Sequence, residues 1–256
     1  VDDSVDAKVI AVMNQKGGVG KTTTAVNLSH ALALAGQHVL ALDLDPQAHL
    51  TAAFGIDGAT PGMDEVLLNG AALVECRQAA RPGLDVVPAG RGLANVEHLS
   101  TGGKARGMRL RNALEACDEG YDAVIIDCPP SAGLLGMNAL FAAGEILIPV
   151  SSDYLALHSL SHFMQTLQFV EEILHRPLPR RVVMTRYHAQ RRLAREVRGK
   201  LTEYFRDRLL QTTIRENVAL AESPSYGETI FEYQAVSHGA EDYQQLADEL
   251  VRQQWH

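Results

Sequence analysis

Lys16 and Lys21 stand on either side of a glycine-rich turn in Gln15-Lys16-Gly17-Gly18-Val19-Gly20-Lys21-Thr22-Thr23. Two ammonium groups, a backbone free to turn its N–H groups inward and a pair of hydroxyls are the chemistry of phosphate binding. The stretch follows Val9-Ile10-Ala11-Val12-Met13, read as a buried strand, and precedes Thr24-Ala25-Val26-Asn27-Leu28 and Ala31-Leu32-Ala33-Leu34, read as a helix. Strand, Gly-rich loop and helix in that order are the setting of a P-loop, and the helix N-terminus adds its partial positive charge. In that frame Lys16, Gly17, Gly18, Val19, Gly20, Lys21, Thr22 and Thr23 line a triphosphate site. Lys21 reaches the β- and γ-phosphates, and the Thr22 hydroxyl ligates Mg²⁺. The loop departs from the general G-x-x-x-x-G-K-[ST] pattern: Gln15 stands where the first glycine belongs, and Lys16 is a second lysine inside the loop. An amine at that place points away from its own β/γ-phosphate site, or across to a neighbour's.

Carboxylates come next. Asp43-Leu44-Asp45-Pro46-Gln47 ends a second apolar strand, and a carboxylate leaving a strand end beside the P-loop strand lies near the γ-phosphate. Alternation puts Asp43 and Asp45 on one side. Either can orient or deprotonate the attacking water, and Asp45 is favoured because it sits further out, before Pro46 turns the chain. Val124-Ile125-Ile126-Asp127 has the Walker B pattern, so Asp127 is a candidate Mg²⁺ ligand. Pro129-Pro130 makes a stiff loop suited to sensing the γ-phosphate. Cys128 reads as a small semi-buried thiol.

The elements that must position these groups follow from the apolar runs. Strands are expected at Lys8–Met13, His38–Leu44, Leu84–Val87, Asp122–Asp127, Glu145–Val150, Arg181–Thr185 and Leu210–Thr213, with helical patterns between most of them. Short continuous apolar strands separated by helices imply an α/β fold: a doubly wound, mostly parallel sheet with helices on both faces. Gly55–Gly62 and Gly102–Gly107 are expected as exposed loops. No internal repeat or low-complexity tract is present. The 256 residues, 46% of them hydrophobic, suffice for one core, so a single domain over residues 1–256 is expected. No apolar run approaches the ~20 residues that span a bilayer. Val1-Asp2-Asp3-Ser4-Val5-Asp6 is acidic and unlike a signal peptide. Cys76, Cys117 and Cys128 form no C-x-x-C pair, which argues for a reduced, cytoplasmic setting.

At this point the motifs carry a resemblance. Lys16 to Thr23, Asp43 to Gln47 and Asp127-Cys128-Pro129-Pro130 are similar to those of the ParA/Soj branch of the ParA/MinD P-loop ATPases, which have a deviant Walker A motif. Downstream, Pro149-Val150 with Tyr154-Leu155-Ala156-Leu157, then Asn217 to Gly227, then Gly239 to Leu250 resemble that family's later segments, so the likeness covers nearly the whole chain. It implies an ATPase, slow without a partner, that binds ATP and Mg²⁺ as a sandwich homodimer. Nucleotides lie at the interface, and Lys16 reaches the partner's phosphates. Asp45 positions the attacking water, Asp127 serves Mg²⁺, and Asn217 contacts the adenine. Arg215 stands where the family has a proline beside that contact. Such proteins bind DNA nonspecifically as ATP dimers, associate with the nucleoid in the cytoplasm, and are released by a ParB-like stimulating protein.

Net charge is −8, yet the segment from Arg176 to Arg215 carries 12 Lys and Arg against 3 Asp and Glu. Taken as a helix from Ala189 to Arg208 with Arg191 at the origin, it puts Arg195 at about 40°, Arg206 at about 60°, Arg192 at about 100° and Arg198 at about 340°. Leu193, Val197, Leu201 and Tyr204 fall between about 200° and 280°. Arg191, Arg192, Arg195 and Arg198 therefore form a stripe suited to DNA phosphate, sequence-indifferent and salt-sensitive. An acidic protein partner and a merely solvated face are the alternatives. Two departures count against DNA: Ala219 stands where the family has arginine, and Glu232 to His238 replaces an arginine-bearing stretch. Membrane docking is disfavoured, because the C-terminal Ala240–His256 segment is acidic, and Trp255 reads as a packing residue. Outside this class, a metabolic P-loop ligase similar to dethiobiotin synthetase, or a cargo scaffold that uses ATP without DNA, competes.

Overall fold

The computed structural model describes residues 7–100, 103–131, 133–153 and 155–253. The expectations for Val1–Asp6, Gly102, Tyr154 and Trp255 fall outside these. Strands are β1 (Lys8–Val12), β2 (Val39–Asp43), β3 (Gln78–Arg81), β4 (Leu84–Val87), β5 (Ala123–Asp127), β6 (Glu145–Ser151), β7 (Arg180–Tyr187) and β8 (Leu209–Arg215). Helices are α1 (Lys21–Leu34), α2 (His49–Ala53), α3 (Met63–Asn69), α4 (Leu73–Cys76), α5 (Arg109–Glu115), α6 (Leu134–Ala142), α7 (Leu155–Leu174), α8 (Arg192–Phe205), α9 (Val218–Glu222), α10 (Ile230–Tyr233) and α11 (His238–Arg252).

Among the described residues the strands form one sheet in the order β3-β4-β2-β5-β1-β6-β7-β8. Every pairing is parallel except β3 with β4. The strands carry continuous apolar runs because both faces are covered. Alternate residues of β1 show this directly. Ile10 and Val12 enter a core with α1 and α11, while Ala11 and Met13 enter a second core with α3, α6, α7 and α8. The order reverses around β1, so the loops after β1, β2 and β5 meet outside the carboxyl ends of their strands. Register sets Val12 and Asp43 each opposite Asp127, which lines up the three loops.

The seven expected strands are present with ends shifted by a few residues. β3 was missed: it is short and has no apolar alternation, and it pairs through the Pro82-Gly83 turn, where Gly83 has φ +74°. The expected exposed loop at Gly102–Gly107 is instead partly a 3₁₀ helix, Gly103–Met108, with Gly107 buried against the Phe141 ring. Among the described residues no helix is long and apolar enough to cross a membrane. In α11, Tyr243, Leu246 and Leu250 are already buried in the core that holds α1.

Candidate nucleotide site

β1 delivers the chain into the glycine loop, and α1 begins at Lys21 with Gly20 as its N-cap at φ +86°. Gly18 is also in the left-handed region, at φ +73°. No side chain caps α1 and its first turn holds no acidic residue, so its first N–H groups are left to an anion. Around Gly17 and Gly18 a Cβ would meet nothing within 4 Å, so the concave side of the loop is open. The loop is held from behind: Thr185 Oγ1 donates to the Val19 carbonyl at 2.7 Å, and Asn14 Nδ2 donates to Pro149 O at 2.8 Å.

The two lysines have different posts. Lys21 is buried, and its Nζ donates to the Lys16 carbonyl at 3.1 Å. Burial pulls its pKa down, with Asp127 and Asp45 opposing. The Lys16 amine leaves the loop and pairs with Asp153 just beyond β6. Asp153 also accepts from Ser151 Oγ at 2.6 Å. Bonds to Lys16 and Ser151 overcome its partial burial and hold its carboxyl below the usual range. Gln15, the residue in place of the usual glycine, donates to Thr166 Oγ1 on α7 at 2.9 Å. The mouth of the loop is thus strapped to the middle of α7 by Gln15 and to Asp153 ahead of that helix by Lys16, side chains that the common pattern lacks. Asp153 carried no signal in sequence; a lone carboxylate after a strand is ordinary.

Asp43 and Asp45 divide their work. Asp43 is wholly buried, and its carboxylate accepts from Thr51 N at 2.8 Å, Thr51 Oγ1 at 2.6 Å and Asp45 N at 3.1 Å. Burial raises it to about 6 against those bonds. It is a bracket between β2 and α2, which leaves Asp45 as the candidate for water. Asp45 Oδ1 accepts from Gln47 N at 2.9 Å, which orients the carboxylate at the strand end.

Asp127, at the end of β5, is fully buried, and both its carboxylate oxygens lack a hydrogen-bond partner. Burial, then Asp43, push its carboxyl well above the usual carboxylate range, while Thr22 and Lys21 pull the other way. Two orphaned oxygens facing a threonine hydroxyl and a lysine fit a hard divalent cation, which takes oxygen ligands. Cys128 is buried too, and burial raises its thiol well above the usual range, which lowers the thiolate fraction at neutral pH.

At the far side, Asn217 Oδ1 caps α9 by accepting from Ala219 N at 2.9 Å. Arg215, expected near the base, spends its guanidinium on α11: Nε donates to Asp242 Oδ1 at 2.9 Å and Nη2 to Glu241 Oε2 at 2.6 Å. Its side chain is a brace between β8 and α11, because buried Asp242 needs a counter-charge more than the open site does.

On α8 the stripe is present with its apolar face rotated. Ala194, Val197, Leu201 and Phe205 are buried, while Leu193 and Tyr204, expected inside, are 42% and 84% exposed. Arg191, Arg192 and Arg195 are exposed. Arg198 is half-buried over the Tyr187 ring, and Arg206 lies past the helix end at φ +47°. Arg191 pairs with Glu216 at 3.4 Å and Arg192 with Glu196 at 2.7 Å, both in solvent, and Arg195 donates to the Ala189 and Gln190 carbonyls.

A parallel sheet with a glycine loop at its switch point, a lysine inside that loop and a buried carboxylate on the next strand define a P-loop nucleotide hydrolase. The family model described as AAA domain matches residues 7–179. The sporulation initiation inhibitor protein Soj of Bacillus subtilis (strain 168) is 42% identical over 248 residues, 95% of this chain and 98% of that protein. Among solved structures, a plasmid partition protein of Borrelia burgdorferi B31 bound to AMPPNP has a TM-score of 0.83 at 24% identity, over 96% of this chain and 99% of that one. A cobyrinic acid a,c-diamide synthase of Mycobacterium smegmatis with bound ADP and magnesium has 0.81 at 32% identity, over 96% and 94%. The chain belongs to the Soj/ParA family of partitioning ATPases.

Proposed function

We propose that this chain is a single-domain ATPase switch. ATP with Mg²⁺ joins two copies face to face, the pair binds DNA without regard to sequence, and hydrolysis stimulated by a ParB-like partner resets it. The observation that carries the reading is the position of the Lys16 amine. It is outside its own loop, at the open mouth, and among the described residues it is held by the half-exposed Asp153. Lys21 already occupies the inner post. An amine so placed is available to a second copy's phosphates once it leaves Asp153, and the strong charge of a triphosphate supplies the pull.

Gly17 to Thr23 hold the phosphates through backbone N–H groups, the Lys21 amine and the Thr22 and Thr23 hydroxyls. Thr22 and Asp127 would hold Mg²⁺, which neutralises phosphate charge when bound. Asp45 accepts a hydrogen bond from the attacking water and orients it, with Asp43 and Thr51 fixing the strand end behind it. Asn217 offers its side-chain amide to the base. Arg191, Arg192, Arg195 and Arg198 present positive charge to phosphates. Among the described residues the first three are held by solvent-exposed carboxylates or backbone, which release them at small cost, and Arg198 lies over the Tyr187 ring. The setting is the cytoplasm, on the nucleoid.

The likeness to a diamide synthase keeps the metabolic reading as the competitor. That reading needs a second substrate cavity beside the P-loop. The 1020 Å³ groove lined by Lys8, Tyr121, Glu145 and Arg176 lies at the amino ends of β1, β5 and β6, away from the nucleotide. Size exclusion with ATP, ADP or no nucleotide, joined to ATPase assays with and without DNA, tests the proposal. A dimer only in ATP and stimulation by DNA are expected. One mass in all three and indifference to DNA would overturn it.

A further inference from the structure

Glu97 lies on the 3₁₀ turn Leu93–His98, which is anchored by buried Leu93 and Val96. Its carboxylate accepts from the backbone N–H of Leu134 at 2.7 Å and of Leu135 at 3.1 Å, the first two residues of α6. The N-cap residue itself, Gly133, supplies no side-chain cap. A Cβ there would lie 2.3 Å from Glu97 Oε2, so glycine is what lets the carboxylate approach. A carboxylate at this place satisfies two orphan donors and complements the helix dipole. Helices are usually capped by a residue next to them in sequence; this one is capped by a residue 37 positions away.

The start of α6 matters because of what precedes it. Asp127 and the Cys128–Ser131 segment lead from β5 towards it, and at the β5 end Leu44 N donates to Asp127 O at 2.9 Å. Pro129 and Pro130 have no N–H to anchor that segment. On the helix side, the Ser131 carbonyl packs so closely on α6 that a Cβ on Gly136 would lie 2.7 Å from it. The path of Cys128–Ser131 is therefore fixed by β5 at one end and by α6 at the other, and Glu97 sets where α6 begins.

We propose that Glu97 is a positioning residue for nucleotide discrimination. By pinning the first turn of α6 it holds Cys128–Ser131 where the third phosphate is registered. The inference rests on the ATP-switch reading given above. Glu97 is exposed, so its removal opens no cavity and the chain should still fold.

The test compares wild type, Glu97→Ala and Glu97→Gln, measuring the affinity of fluorescent ADP and of a fluorescent non-hydrolysable ATP analogue, both with Mg²⁺. Nucleotide-free melting and the mass with each nucleotide are followed alongside. In Glu97→Ala the ATP analogue should weaken about tenfold, on the scale of a lost helix cap, with ADP within about twofold. Glu97→Gln, which keeps one acceptor oxygen, should fall between. Equal losses for both nucleotides, or none, would overturn the proposal and leave Glu97 a plain cap. If wild type itself kept one mass with ADP and the ATP analogue, the switch reading would fall, and this inference with it.

Discussion

At the residue scale, the two lysines of one loop differ in what holds them. Lys21 is buried against the Lys16 carbonyl, whereas Lys16 sits on Asp153 at the mouth. Their substitution should separate binding from association. Lys21→Ala should lose most ATP affinity and stay monomeric in ATP. Lys16→Ala should keep ATP within a few fold and still fail to dimerise, as read by nucleotide titration alongside sedimentation velocity. Comparable loss of binding in both would remove the distinction. The thiols give a second check. Burial raises both Cys76 and Cys128, while Cys117 is only half-buried. A raised thiol holds less thiolate at neutral pH, so iodoacetamide at pH 7.5 should label Cys117 first in peptide mapping, with Cys128 protected until the chain unfolds.

At the element scale, Asp43 ties β2 to α2 through Thr51, and Thr51→Val should cost about 1–3 kcal/mol by leaving a buried carboxylate short of donors, measured by urea denaturation. On α8, Arg195→Glu with Arg198→Glu should abolish DNA co-sedimentation in ATP while sparing ATP binding. Wild-type DNA binding should fall steeply with salt; unchanged binding in the double variant would take the stripe out of the mechanism. Much of this scale was legible before the structure. The apolar strands read correctly because burial on both faces leaves a run that solvent-exposed segments do not show, and the loop, Asp45 and Asp127 could be picked out as candidates because phosphate chemistry constrains residue type and spacing. What was hidden was long-range. β3 has no apolar signature, the α8 face turned because Phe205 rather than Tyr204 found the core, and Arg215 went to Asp242 because a buried carboxylate claims the nearest cation. Asp153 and Glu97 act on backbone or side chains far away in sequence, and no local pattern announces such a contact.

At the scale of the whole molecule, one sheet carries two opposed surfaces. Arg176 to Arg215 is strongly basic, while between Glu216 and Val251 there is neither lysine nor arginine. A polyanion would be attracted to the first and repelled by the second, so the charge pattern would orient the chain in the proposed DNA complex although its net charge is −8. The central claim is that triphosphate draws Lys16 off Asp153 and joins two copies. Small-angle scattering of the Asp45→Ala chain, in which hydrolysis should be blocked, in saturating ATP and Mg²⁺ tests it most directly. The account predicts a stable particle of twice the monomer mass, reverting to monomer in ADP. A single chain in both nucleotides would contradict it.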